Sequence, residues 1–579
     1  MASAGAAPEF GHGFRAHFLF DTKWHNLNHG SYGTYPIPVR NAKRGYTKLT
    51  EACPDKFLRY QYVDLLDKSR ERLAQLVNAP VDECVIVNNA TSGINTVLRN
   101  LVYKEKDVIV YFDTMYGAIE KTLASICETN PQLTTRKVGH GQDYAYKLPM
   151  SHPEIASAFS QTISRLLYEG YNVKAAIFDT VVSLPGVRFP FERLVRMCKE
   201  NGILSIIDGA HAIGMMPLNL SQLDADFFTS NCHTWLYVPR GCALLHVPKR
   251  NQHLIRTTYP TSWGYVPGDA TKTREVLPLG NKSDFIRLFQ LVATADNTPH
   301  YCIPAAINFR QNLCGGEEAI YNYIRENAQR GADMIAMLLG TEVMDDLDQG
   351  SGLKAMGSYE ASTGREQVSR HWAGGLRDCA MANVLLPITI FGAERNGSVR
   401  LGPGGAGSGG GLSPGLGHGK RPSLSPSGNK RHSFGLGGSP YSEEPQSAAG
   451  IDATTVKPED VSQVVKWMQE TLINEFNTFV AIFEYQGQIY TRISGQIYLE
   501  LKDWEWLGGV LKALCERVGA GEFTNKVELR PTLSRPVSEL DLERLGKSMS
   551  NSAISPFAEP GRTFDVSAGG WRRPSLPFR

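Results

Sequence analysis

From residue 21 to about residue 299, short apolar runs alternate with longer amphipathic stretches. Residues 85–87, 108–112, 175–178, 203–207 and 242–247 are apolar, short and bounded by turn residues, which predicts buried strands. The segments between them have room for crossover helices. Repeated βαβ units of this kind predict an open, mostly parallel sheet covered on both faces. After Pro304 the pattern turns helical, most clearly over residues 317–339, and a strand is predicted at 381–387. From Lys457 a helix is predicted, with Val461, Val464, Val465, Met468 and Leu472 on one face. Pro458 falls in its first turn, where a missing N–H does no harm. A strand pair over 478–501 breaks at Gln486-Gly487-Gln488, a hairpin signal, and a last helix runs from about 503 to 518.

Composition then divides the chain. Residues 396–450 are Gly/Ser/Pro-rich with few apolar side chains, so they cannot bury enough surface to offset their ordering entropy. They are expected to be a disordered insertion, either a tolerated surface loop or, from the Ser-Pro steps and basic residues, a phosphorylated regulatory one. The expected layout is a flexible tail at 1–20, a large domain at 21–299, and a small domain at 300–395 and 451–525. That small domain is interrupted by the insertion, and a second disordered tail covers 526–579. The whole chain has 579 residues, 42% hydrophobic, and a formal charge of +2. That charge argues against a nucleic-acid or membrane partner chosen by bulk electrostatics. No apolar run is long enough for a bilayer span, and the first residues lack a secretory signal. Ten cysteines without Cys-x-x-Cys or Cys/His metal spacing predict reduced thiols in a cytoplasmic protein and no metal site.

Several polar residues fall where such a sheet would place a site. Asp208 ends a predicted strand, at the carboxyl edge where open α/β sheets bind ligands, although aspartate also suits a helix N-cap. Asn89-Ala90-Thr91-Ser92-Gly93 follows another strand, and small residues entering a helix present N–H groups to an anion. Tyr116 and Ser183 also follow strands. Arg492, in Tyr490-Thr491-Arg492-Ile493-Ser494, has the planar fork that matches a carboxylate, though a solvated surface arginine is the commoner case.

The segment Ser230-Asn231-Cys232-His233-Thr234-Trp235-Leu236, after the Asp208-Gly209-Ala210-His211 turn, resembles the Schiff-base loop of the class V aminotransferases. In that family it reads Ser-Asn-x-His-Lys-Trp. The resemblance implies the α/β fold of type I pyridoxal-phosphate transferases: a large, mostly parallel domain with a smaller α+β C-terminal domain. It implies pyridoxal 5'-phosphate as cofactor, with Asp208 at the ring nitrogen, His211 beside the phenolic oxygen and Tyr116 stacked on the ring. Thr91 and Ser92 are implied at the phosphate, Ser230 and His233 on the phosphate side, and Ser183 within reach of the cofactor. Arg492 is implied at the carboxylate of an amino-acid substrate, with Asn28 and His29 of Asn28-His29-Gly30-Ser31-Tyr32-Gly33 closing over it. Thr294 and Asp296, in Ala293-Thr294-Ala295-Asp296-Asn297-Thr298-Pro299, resemble the segment a partner subunit lends to the site, which implies a homodimer.

Within the family, residues 230–241, 251–257 and 492–508 are similar to the isopenicillin N epimerase-like group and to the fungal hercynylcysteine sulfoxide lyases of ergothioneine biosynthesis. Carbon–sulfur bond cleavage by β-elimination is the activity this implies, with amino-acid epimerisation as the alternative. The family lysine is replaced here by Thr234. Three readings stay open: a pseudoenzyme or heterodimer partner of an active paralogue, a different reaction using His211 or His233, and an otherwise active lyase in which Thr234 is a one-base variant or a sequence error.

Overall fold

The computed structural model describes residues 9–139, 148–267, 282–346, 375–392 and 454–524. The expected insertion at 396–450 and the expected tail at 526–579 lie outside the described residues.

Seven strands form the main sheet: β1 (Cys84–Val87), β2 (Asp107–Tyr111), β3 (Leu133–Lys137), β4 (Asn172–Asp179), β5 (Leu204–Asp208), β6 (Phe227–Asn231) and β7 (Ala243–His246). Their order is β1-β7-β6-β5-β4-β2-β3. The β3–β2–β4–β5–β6 run is parallel, and β7 is antiparallel to both β6 and β1. β1, β2, β4, β5 and β7 carry the apolar runs of the sequence, with every residue of β1, β2 and β7 buried. β3 and β6 escape the apolar pattern. Leu-Thr-Thr-Arg-Lys is a half-exposed edge strand, and Phe-Phe-Thr-Ser-Asn ends in polar residues facing the site.

The second sheet, β10-β11-β8-β9, is built from β8 (Met381–Ile390), β9 (Thr454–Val456), β10 (Ala481–Tyr485) and β11 (Gln488–Ser494). The hairpin β10–β11 pairs Tyr485 with Gln488 across Gln486 and Gly487. Both loop residues have positive φ, 52° and 75°, as a tight two-residue turn requires. β11 stops at Ser494, shorter than the run to 501, because Gly495 packs its backbone against the helix Glu317–Leu339. A Cβ at Gly495 would stand 2.0 Å from the Ile324 carbonyl oxygen. Helices Glu317–Leu339 and Leu501–Gly519 cover this sheet, and Gly331 lets the Trp504 ring lie directly on the first of them.

The expectation of a loose tail over residues 1–20 fails for residues 9–20. A 3-10 turn at His12–His17 buries Phe14, and Phe18 is buried beyond it. Phe18 meets Tyr237 and Tyr498 edge-on, at 5.7 and 4.8 Å between ring centroids. The Gly11 N–H donates to the Ile497 carbonyl. Four phenylalanines within eleven residues (Phe10, Phe14, Phe18, Phe20) carry enough apolar area to hold this segment down.

Candidate active site

The carboxyl ends of β1, β2, β4, β5 and β6 lie along one edge of the main sheet, and the predicted site residues follow from them. At the β5 end, Asp208 is buried and its Oδ1 accepts the Ala210 N–H at 2.9 Å. Burial pushes its carboxyl up to about 6.

Beyond β1, Asn89 caps the helix Ala90–Asn100, its Oδ1 accepting from Ser92 N and Ser92 Oγ. Ala90 N donates to Asn231 Oδ1 at 2.9 Å, which ties the helix start to the end of β6. Gly93 N bonds the Asn89 carbonyl. Of the first-turn amides, Thr91 N–H is left to meet a ligand. With the Thr91 hydroxyl it forms a small anion cradle, while the Ser92 hydroxyl is turned back to Asn89, a departure from its expected place at a phosphate.

The loop after β6 is strapped from several sides. Thr234 is buried, and its carbonyl accepts His29 Nε2 at 2.8 Å. Arg310 donates to the carbonyls of Trp235 at 2.8 Å and Gly214 at 3.0 Å, and its charge is met by Glu317. Tyr237 holds a left-handed backbone (φ 67°), and its hydroxyl bonds Gln496 Oε1 at 2.6 Å. A buried tyrosine kept in this region is strain that surrounding contacts must hold in place.

The histidine hydrogen bonds fix their tautomers. His29 donates through Nε2, so Nδ1 accepts the Tyr498 hydroxyl at 2.9 Å; burial lowers His29 to about 4, leaving it neutral. His211 Nδ1 accepts the Trp235 indole N–H at 3.2 Å, so its hydrogen sits on Nε2. Burial, aided by Arg492 and His233, lowers it to about 3. His211 therefore offers a donor, the right partner for a phenolic oxygen. His233 is the opposite: Nδ1 donates to the Cys242 carbonyl at 3.1 Å, leaving the Nε2 lone pair as an acceptor. Burial lowers its pKa too.

Arg492 on β11 is 1% exposed, which excludes the surface-arginine reading. One guanidinium nitrogen donates to the Ser183 carbonyl at 2.7 Å, and the other to Asn28 Oδ1 and Ser31 Oγ, both at 2.8 Å. All these acceptors are neutral, and Nε has no partner. Burial pulls its pKa down to about 10. Gly186 makes room for it, since a Cβ there would stand 2.9 Å from Arg492 Cδ. The structure thus gathers Asn28, Ser183 and Arg492 at one point, while His29 holds the Thr234 loop. Ser31 is a member the sequence reading missed; its place in the Asn28-His29-Gly30-Ser31 turn was the available signal.

One predicted residue stands differently, and two are exposed. Ser230 is fully buried; its hydroxyl donates to the Gly209 carbonyl and accepts the Ile213 N–H at 3.0 Å. It pins the turn after β5 instead of offering a donor to a phosphate, a correction to its expected role. Tyr116 is 51% exposed, its ring standing out from the sheet edge instead of packing. Thr294 lies on an exposed surface segment, where Asp296 caps Thr298 N at 2.9 Å.

The donor set fits pyridoxal phosphate as a non-covalently held group: a buried carboxylate with no cation beside it, a free helix-start amide and a neutral imidazole donor. It offers no amine to join it. No lysine is among the buried side chains of the described residues, and Lys249 lies on the surface, 3.6 Å from Asp82.

The aminotransferase class-V family model matches residues 56–262. An L-cysteine desulfhydrase-like protein, lolT1, of Epichloe uncinata is 36% identical over 509 residues, covering 86% of this chain and 95% of its own. The hercynylcysteine sulfoxide lyase of Schizosaccharomyces pombe is 27% identical over 508 residues, covering 87% and 98%. The fold matches that of the cystine C-S lyase C-DES, solved with its product cysteine persulfide, at a TM-score of 0.55 and 15% identity over 85% of this chain and 98% of that one. The chain belongs to the class-V aminotransferase family, whose cofactor is pyridoxal phosphate.

Proposed function

We propose that this chain binds pyridoxal phosphate non-covalently and takes a cysteine-derived amino acid, with the carbon–sulfur lyase chemistry of its relatives slowed by the loss of lysine at position 234. The observation that carries the reading is Arg492: a buried guanidinium held by three neutral acceptors and no acid. Such a group is built to receive an anion, and an α-carboxylate fits its fork. When bound, the cofactor supplies an electron sink for a carbanion at Cα.

The residues divide the remaining work. Asp208 would meet the ring nitrogen, and Thr91, with Ser92 once its hydroxyl turns from Asn89, would hold the phosphate. His211 Nε2–H would meet the phenolic oxygen. Arg492 fixes the substrate, backed by Asn28, Ser31 and Ser183. Buried walls exclude water. Cleavage of a Cβ–S bond needs the Cα proton removed so that its electron pair forms a Cα–Cβ double bond as sulfur leaves. A threonine hydroxyl is a poor acceptor for that proton; losing a positioned base costs on the order of 10²–10⁴ in rate. Among the described residues, His233 Nε2 is the lone pair nearest in sequence.

A second reading is a pseudoenzyme that pairs with a lysine-bearing relative. The buried Thr234, and the exposed segment carrying Thr294 and Asp296, favour it. On either reading a two-fold dimer, each subunit lending that segment, is the expected assembly. The test is an absorption titration with pyridoxal phosphate of the wild type beside Thr234→Lys, with sulfide release from L-cysteine followed in both. Saturable binding by both proteins, with the band of a lysine-linked cofactor and strong sulfide release only in the variant, is the expected result. Binding by neither sinks the proposal. Binding without sulfide release in either leaves the pseudoenzyme reading.

A further inference from the structure

Asp179 has no place in the chemistry above, yet it sits beside the residue that does. It ends β4 as Asp208 ends β5, and the two are register partners in the parallel pair. Register partners on adjacent strands lie about 4.8 Å apart with side chains on one face of the sheet. Both are buried, at 5% and 3% exposure. Among the described residues neither makes an ion pair with a cation. Asp378, another buried aspartate, is instead met by Arg325 at 2.9 Å and Arg188 at 3.7 Å. Two adjacent carboxyl groups in such a place cannot both ionise, and one keeps a proton.

We propose that Asp179 is a positioning residue for Asp208: the pair holds a single proton, on Asp179, so that Asp208 meets the ring nitrogen as a carboxylate backed by a neutral acid. This rests on reading Asp208 as the ring-nitrogen partner. A backbone N–H favours the ionised form at each carboxyl, that of Ala210 at Asp208 and that of Asp179 itself at Asp179, so the proton is assigned to Asp179 by its burial beside the Asp208 charge. The tendencies agree. Asp179 is raised well above the carboxylate range by burial and then by the charge of Asp208. The neighbouring elements do not cancel this. β2 brings Tyr111, and Asp113 beyond it is exposed; β6 places neutral Thr229 opposite Asp208. The turn after β5 brings His211, which is neutral, and the charge of Arg492 acts on that histidine. With Asp179 neutral, the single negative charge of the pair lies on Asp208, the form that can accept a ring N–H.

The test uses the full chain without cofactor. An infrared spectrum at pH 7.5, in H2O and D2O, reads protonated carboxyl groups by their isotope-shifted C=O stretch. The wild type is expected to show a buried protonated carboxyl, and Asp179→Asn to lose it. In Asp208→Asn the remaining acid should deprotonate with a midpoint lower by at least one pH unit, a tenfold change in proton affinity, because the like charge is gone. Absence of the band in the wild type overturns the proposal whether or not the variants fold. So does an unchanged midpoint in Asp208→Asn, or persistence of the band in Asp179→Asn. A separate titration with pyridoxal phosphate covers the underlying reading. If Asp208→Asn leaves the pH dependence of the bound cofactor's spectrum unchanged while the carboxyl pair behaves as expected, the ring-nitrogen assignment fails and the shared proton stands.

Discussion

Arg492→Lys keeps a charge and removes the fork. Because Asn28, Ser31 and Ser183 are arranged around two guanidinium nitrogens, a lysine ammonium would leave at least one acceptor unmet. Weaker binding of an S-alkyl cysteine by about 1.5–3 kcal/mol is expected, measured by calorimetric titration of the cofactor-loaded protein. Ser31→Ala should cost less, since Asn28 still accepts from the same nitrogen. Asp208, Thr91, His211 and Arg492 were legible in the sequence because each carries a chemical group and follows a strand end or lies in a recognisable motif. Ser230 was misjudged because position alone does not show whether a hydroxyl faces a cofactor or a neighbouring carbonyl. Asp179 was passed over because its significance lies in the strand register with Asp208, which no single segment reveals.

Among the elements, the short helix His29–Tyr32 and the loop after β6 depend on each other through Gly33. Its φ is +62°, and a Cβ there would stand 2.3 Å from the His233 carbonyl oxygen and 2.7 Å from Thr234 Cα. Gly33→Ala should destabilise the protein by about 1–3 kcal/mol, read as a lower denaturant midpoint, and weaken cofactor retention with it. By contrast Gly45→Ala, where a Cβ meets nothing within 4 Å in the helix Ile37–Ala52, should be neutral or stabilising. Strong periodicity made the long elements readable: the helix predicted at 317–339 is found at Glu317–Leu339. Elements whose order comes from tertiary contact were not readable. β3 and β6 lack an apolar run, and the segment from Glu9 to Phe20 is held by aromatic contacts to residues 237 and 498, far along the chain.

Across the whole molecule, the buried ionisable groups pull stability in opposite directions with pH. His29, His211 and His300 are lowered from 6.5 to about 4, 3 and 4 by burial. The unfolded chain takes up their protons first, so their contribution is complete above pH 6.5 and is lost as pH falls toward 4, by up to about 1.4 kcal/mol per pH unit for each proton. Asp208 is raised to about 6, so its contribution is present below about 4 and lost as pH rises through 6. In the cofactor-free protein, Asp208→Asn should therefore unfold at higher temperature than the wild type at pH 7.5, with the difference shrinking by pH 4.5. His29→Gln should flatten the loss between pH 6.5 and 4.5. Scanning calorimetry across that range checks both. Among the described residues no helix is long and apolar enough to cross a membrane.

The arginine that meets Asn28 comes 464 residues later in the chain. A ribosome must therefore pass residue 492 before the turn at Asn28–Ser31 can be tied to β11, and that turn waits through 464 residues of synthesis without its partner. During that interval the main sheet can already fold, since its seven strands end by His246. A nascent chain halted before residue 492 would then hold the finished main sheet with the Asn28–Ser31 turn untied, and the guanidinium that anchors that turn would come only with β11.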